Sequence, residues 1–228
     1  MQIKLSNRLQ AIADSIEKGA SVVDVGTDHG YLPVYLAQNE IAVSIVASDV
    51  SVGSLEAAVR SFRKYALSER IKTVHASGLD GVLDSEVDTV VISGMGGETI
   101  ISILEDAFWT RHGKTLILQP QSKTEQLVCF LSGNGYAIFD AKLALDNAKY
   151  YVILVVGEAG ATVSSVASFY DVLKLLAAKN DPYFGAYLNK EILSAKRTAE
   201  GMRMSSHSGY EETKAYVHDL IKLSRDFT

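Results

Sequence analysis

The sequence predicts an α/β protein: a mostly parallel sheet, closed by an antiparallel hairpin and followed by a helical tail. Three observations carry this. Short β-branched runs alternate with helical apolar patterns between residues 21 and 133; strands separated by helix-length segments pair in parallel. Two strand-like runs, Tyr136 to Leu145 and Tyr150 to Gly157, are then joined by only Asp146-Asn147-Ala148-Lys149, too short a connection for a parallel crossover. Beyond Gly157-Glu158-Ala159-Gly160 the β signal stops.

An amphipathic helix opens the chain, with Leu5, Leu9, Ile12, Ala13 and Ile16 at helical spacing. Strands are expected at Ser21 to Gly26, Ser44 to Asp49, Lys72 to Ala76, Val87 to Ser93 and Lys114 to Gln119. Helices are expected at Tyr31 to Gln38, Val52 to Ala66, Glu98 to Asp106 and Lys123 to Gly133. The tail reads as helices from Ser164 to Lys179, Tyr183 to Met204 and Gly209 to Arg225, the last two forming a coiled-coil-like hairpin that turns at "MSSHSG". With 228 residues, 47% of them hydrophobic, the chain supports one substantial core and an appendage, divided here as 1–160 and 161–228.

A net charge of -5 gives no global attraction for nucleic acid, so a polyanion must meet a local basic surface. The single cysteine, Cys129, excludes an internal disulfide. No apolar leader or membrane-length stretch is present, so a soluble cytoplasmic protein with no membrane partner is expected.

The first strand runs into Asp24-Val25-Gly26-Thr27-Asp28-His29-Gly30. A dinucleotide loop places glycine where Asp28 stands, because backbone N–H groups must approach a pyrophosphate closely. A carboxylate there repels phosphate and favours a phosphate-free nucleoside bearing cations. S-adenosylmethionine (SAM), with its sulfonium and ammonium, is that ligand. Asp49, ending the second strand, suits the two ribose hydroxyls. Asp80, in Ser77-Gly78-Leu79-Asp80-Gly81, suits the adenine 6-amino group, with Leu79 against the ring. Ser93-Gly94-Met95-Gly96-Gly97 leaves room for a substrate to approach the methyl group.

Each residue also has a structural role to weigh. Asp24 can orient the loop through backbone hydrogen bonds, Asp49 can cap a helix, Asp80 can belong to an ordinary Asp-Gly turn, and His29 can cap or pack. His75, His112, His207, His218 and Cys129 have no ligand-like spacing, so no metal is expected.

These stretches resemble the bacterial TrmK family, the tRNA (adenine-22-N1)-methyltransferases. The likeness rests on "LSNRL" from Leu5, "DVGTDHGYLP" from Asp24, "ASDV" from Ala47, "SGLD" from Ser77, "ISGMGG" from Ile92 and "LQPQ" from Leu118. It implies a Rossmann-like class I methyltransferase sheet of seven strands, the last antiparallel, with a helical hairpin behind. It further implies that Gly26, Asp28, His29, Asp49, Val50, Leu79, Asp80, Gly94 and Met95 line a SAM pocket; Asp24 and Gly30 of the same loop join that set. Ser93-Gly94-Met95-Gly96 stands where enzymes that methylate exocyclic amines often carry Asn/Asp-Pro-Pro-aromatic. Adenine N1 already presents an in-plane lone pair and needs no such carbonyl clamp.

The implied reaction is an in-line displacement in which adenine N1 takes the SAM methyl and S-adenosylhomocysteine leaves. Asp28, His29 and Met95 are the candidate catalytic residues, Asp28 serving either the adenine N6 edge or the methionine ammonium. Tyr31, Met95 and Pro120 are candidate walls for an extruded base, and Gln119 and Gln121 either read its edge or satisfy the loop backbone. For tRNA phosphates the sequence offers the run Arg60, Arg63, Lys64, Arg70 and Lys72, to which Lys4 and Arg8 near the start and Lys190, Lys196, Arg197 and Arg203 on the tail could add, although a helix bearing several cations can also be a solvated face. A methyltransferase of another substrate, or a silent nucleotide- or RNA-binding module, would use the same first half. The apolar face of the tail suits RNA or a second copy equally, leaving the oligomeric state between monomer and weak dimer.

Overall fold

The computed structural model describes residues 2–160 and 166–227. The chain forms two compact units, Met1–Phe169 and Tyr170–Thr228.

In the first unit the strands are β1 (Ala20–Val25), β2 (Ala42–Asp49), β3 (Lys72–His75), β4 (Thr89–Met95), β5 (Thr115–Pro120), β6 (Tyr136–Asp146) and β7 (Lys149–Glu158). They form one sheet in the order β3-β2-β1-β4-β5-β7-β6. All neighbours pair in parallel except β7, which is antiparallel to both β5 and β6. The expected closing hairpin is therefore present. Its connection is shorter than the four residues expected, because β6 and β7 extend to pair Asp146 with Lys149. Asn147 and Ala148 alone make the turn, at φ 48° and 58°, as a two-residue hairpin turn requires.

Central strands are covered on both faces and so read as continuous apolar runs. Val90, Val91 and Ile92 of β4 and Leu116, Ile117 and Leu118 of β5 are fully buried. The covering helices are α1 (Asn7–Ala13), α2 (Tyr31–Gln38), α3 (Val52–Lys64), α4 (Gly97–Asp106) and α5 (Thr124–Gly133). α3 and α4 present narrow apolar stripes, Ala58 and Phe62 on the one and Ile100 and Leu104 on the other, whereas α2 buries Leu32, Pro33, Val34, Leu36 and Ala37 over most of its surface. Ser6 and Ser51 cap α1 and α3 by accepting from the Leu9 and Ser54 amides. The Ser6 cap starts α1 later than the apolar spacing suggested, while Leu5 and Ile16 remain buried in the flanking segments.

The second unit contains α7 (Phe184–Met204) and α8 (Tyr210–Phe227), preceded by α6 (Phe169–Ala177), whose first residue belongs to the first unit. Phe184 meets Phe227 edge-to-face at 4.8 Å, so α7 starts where α8 ends and the two form an antiparallel hairpin. The start expected for α6, at Ser164, lies outside the described residues; 166–168 are not helical.

Strand order reverses between β1 and β4. Open α/β sheets bind ligands at such a switch point, beyond the carboxyl ends of the strands. The ends of β1, β2 and β4 all deliver acidic or glycine-rich residues there.

Candidate active site

The loop after β1 is built from left-handed residues, Gly26, Asp28 and Gly30 at φ 72°, 52° and 68°. Its amides are already occupied. Gly26 and Thr27 donate to the Ser48 carbonyl at 2.8 and 3.0 Å, and Gly30 donates to Thr27 at 2.9 Å. Asp28 donates to Asp49 Oδ2 at 3.1 Å. A phosphate cradle needs free N–H groups, and four of these are committed within the protein. The loop therefore rejects diphosphate through its hydrogen bonding as well as through the charge of Asp28.

Asp49 ties the ends of β1 and β2 together. Its other oxygen, Oδ1, accepts from the Ser51 amide at 2.8 Å, and the residue is only 8% exposed. Each carboxylate oxygen keeps a second lone pair, enough for a ribose hydroxyl. Asp49 lines a cleft of about 390 Å³ together with Val50, Leu79, Asp80, Ile103 and Trp109. Apolar walls with the Asp49, Asp80 and Asp106 carboxylates at intervals fit an adenosine moiety, whose hydroxyls and amino group donate hydrogen bonds.

A second cleft, about 660 Å³, lies on the other side of Gly26, the residue lining both. Met95 lines only the first. Its terminal methyl comes within 2.3 Å of where a side chain on Gly26 would begin, so it stands at the junction of the two clefts. Asp24, Thr27, Ser93 and Gly94 line the second cleft, as do Arg8, Asp28, His29, Tyr31 and Gln121. His29 and Tyr31 stack at 5.4 Å with planes 17° apart. Asp28 lies 3.8 Å from His29 Nε2, its side chain 72% exposed.

Asp24 is buried, and Thr27 Oγ1 donates to it at 2.8 Å. Burial pushes its carboxyl up from 3.8 to about 6; the Thr27 bond and the Arg8 charge oppose this, and Asp49 adds to it. Below about pH 4 both folded and unfolded chains hold the proton, and above pH 6 the folded chain must ionise a buried acid. The native state therefore loses stability between about pH 4 and 6, by about 3 kcal/mol. Asp24→Asn is expected to unfold about 2–3 kcal/mol less readily than the parent at pH 8, with the difference vanishing near pH 4; denaturant titrations at both pH values check this.

Several expected site residues lie elsewhere. Gly30 lines neither cleft; it caps α2, and a side chain there would start 2.5 Å from the Phe62 ring. Pro120 is buried and lines neither cleft. Gln119 is fully buried and serves the loop, accepting from Arg8 and the Gly94 amide and donating to the Pro120 carbonyl. It cannot read a base edge directly. Arg60, Arg63 and Lys64 are exposed on α3 and line neither cleft. The Ser93 to Gly97 stretch is less a loop than a bulged strand end, since Ser93 pairs with Gln119 and Met95 with Pro120 while Gly94 is left over.

The sequence reading also missed Trp109, Ile103 and Ser102 in the first cleft, and Asp146 and Asn147 in the second; Lys4, expected among the phosphate contacts, lines the second cleft with Arg8. The sequence predicts α4 only as a helix, and the hairpin turn only as a connection. Among the described residues no three metal-ligating side chains gather, and no helix is long and apolar enough to cross a membrane.

A sheet of this order, with an acidic loop that has four of its amides occupied and the Asp49 carboxylate beside it, has the architecture of a Rossmann-like methyltransferase. A family profile described as a methyltransferase domain matches residues 5–154. The chain is 35% identical to the tRNA (adenine(22)-N(1))-methyltransferase of Bacillus subtilis strain 168, over 83% of this chain and 77% of that protein. The chain belongs to that tRNA (adenine(22)-N(1))-methyltransferase family. The crystal structure of the B. subtilis M1A22 tRNA methyltransferase TrmK aligns with a TM-score of 0.81 at 27% identity, covering 99% of each chain. A candidate tRNA (m1A22) methyltransferase of Streptococcus pneumoniae, solved in complex with S-adenosyl-L-methionine, aligns at 0.82 with 28% identity, covering 97% of this chain and 100% of that one.

Proposed function

We propose that this protein transfers a methyl group from SAM to N1 of adenine 22 in tRNA, in keeping with its B. subtilis relative, and acts in the cytoplasm. The observation that carries the reading is the pair of clefts meeting at Gly26 and Met95. Adenosine fits the first, with its ribose on Asp49. The methionine part passes Gly26 toward the buried Asp24. The base enters from the outer part of the second cleft, between Arg8 and the His29–Tyr31 rings.

Bound SAM supplies an electrophilic methyl and leaves as S-adenosylhomocysteine, the C–S electron pair returning to sulfur as adenine N1 forms the new bond. The protein's work is chiefly alignment. We assign Asp28, exposed beside the His29–Tyr31 stack, to the adenine, and Asp24, buried at the inner end of the same cleft, to the methionine part. The Asp28 carboxylate opposes the positive charge that N1 methylation puts on the ring. His29 and Tyr31 offer a face on which an extruded base stacks. Met95, at the junction, bounds the path of the methyl group. Asp24, Gly26, Gly94, Val50, Leu79 and Asp80 complete the cofactor walls.

Arg60, Arg63 and Lys64 belong to phosphate contacts outside the clefts. Arg60 has only a long pair with Glu56 at 3.9 Å, worth little at a surface. Reversing all three to Glu is expected to weaken tRNA binding and to lower the slope of log affinity against log salt by about 2 to 3. Binding titrations from low to moderate salt check this.

The reaction itself is tested by incubating unmodified tRNA with methyl-labelled SAM and digesting to nucleosides. Label in 1-methyladenosine is expected. Label in another nucleoside, or transfer only to protein or small molecules, overturns the proposal; tRNA binding without transfer marks a silent module.

A further inference from the structure

Resting on that reading of the second cleft, we infer that Gln119 is a positioning residue which sets Arg8 and the bulge at Gly94 in one fixed relation. The fully buried side chain sits on β5 opposite Ser93. Its carbonyl oxygen accepts from Arg8 Nη1 at 2.9 Å and from the Gly94 amide at 3.2 Å. Its amide nitrogen donates to the Pro120 carbonyl at 2.8 Å. Two donors on one side and one acceptor on the other allow only one orientation of the amide.

The consequence is geometric. Gly94, at φ 79°, is the bulged residue and has no ladder partner of its own, so the Gln119 carbonyl stands in for the missing strand. The same oxygen fixes a guanidinium that comes from α1, more than a hundred residues away in sequence. Gln119 Oε1 is the one hydrogen-bond acceptor of Arg8 among the described residues, and the Tyr151 ring lies 5.6 Å from its Cζ. The remaining guanidinium N–H groups are left for a nucleotide in the cleft. Gln119 itself lines neither cleft, so it acts on the substrate only through Arg8 and Gly94.

A double-mutant cycle tests this with the full-length enzyme, tRNA and SAM. Gln119→Met keeps the volume and removes both amide functions. Its single-turnover rate at saturating SAM and tRNA is expected to fall about 10- to 100-fold, with SAM affinity within about twofold of the parent. Arg8→Ala is expected to lose rate similarly. In the Arg8→Ala background Gln119→Met is expected to cost less than about threefold more, while any drop in its melting temperature persists unchanged. Gln119→Glu, which keeps an acceptor for Arg8, is run through the same cycle and covers the case in which the Met variant does not fold. It is expected to retain more rate than Gln119→Met, or, if that protein is absent, to lose its own rate effect when Arg8 is alanine. A Gln119 variant with parental rate, or losses that multiply in the double variant, overturns the inference. A parent enzyme that methylates no tRNA overturns the functional reading instead.

Discussion

Asp49→Ala is expected to raise the SAM dissociation constant about 100-fold. Two effects combine. The ribose loses a charged acceptor, worth about 1.5–3 kcal/mol. The Asp28 and Ser51 amides lose the oxygens that hold them, releasing the loop that separates the clefts. The second effect distinguishes this site from a simple surface contact: Asp49→Asn, which keeps one acceptor oxygen, restores part of the affinity. Calorimetric titration of SAM and of S-adenosylhomocysteine checks both variants. Equal affinity for parent and Asp49→Ala removes Asp49 from the cofactor site.

Asp28→Asn is expected to do the opposite. The shape is kept and only the charge is lost, on an exposed side chain beside the His29 and Tyr31 rings. SAM affinity stays within about twofold, and the single-turnover rate falls about 100-fold, in keeping with a carboxylate a few ångströms from a developing positive charge in a half-open site. Lost SAM binding with an intact chemical step assigns Asp28 to the methionine ammonium.

The fold was largely legible because the central strands of this sheet are buried on both faces and its last two are joined by a short turn, and both states leave a local mark. The uninterrupted run through Val90, Val91 and Ile92, and the closely spaced hairpin strands, are such marks. The acidic loop was legible too, since Asp28 changes the local charge whatever surrounds it. What escaped were relations that only three-dimensional proximity creates. Gln119 could be either a base reader or a loop support, because a glutamine after a strand carries no sign of its burial, and the structure gives it the second role. Gly30 looked like a cofactor contact because nothing in "DHG" announces Phe62, thirty-two positions on. Trp109 and Asn147 gave no signal, their elements reading as helix end and turn. In general, polar residues whose partners are distant are invisible to spacing.

The two aspartates of the loop now part company. Asp24 is buried, with a proton held up to about 6, and is proposed for the inner end of the cleft. Asp28 is exposed beside two stacked rings and is proposed for the base. The loop's occupied amides explain why the same strand-turn-helix that binds dinucleotides elsewhere takes a phosphate-free nucleoside here.

The central claim is methylation of one ring nitrogen at one position. Its most direct test is to react the enzyme and labelled SAM with a transcript carrying adenine at position 22 and with one carrying guanine there, mapping the product by reverse-transcriptase arrest. The account predicts an arrest at position 22 and label in the first transcript only. Equal labelling of both transcripts, or an arrest at another adenine, contradicts it.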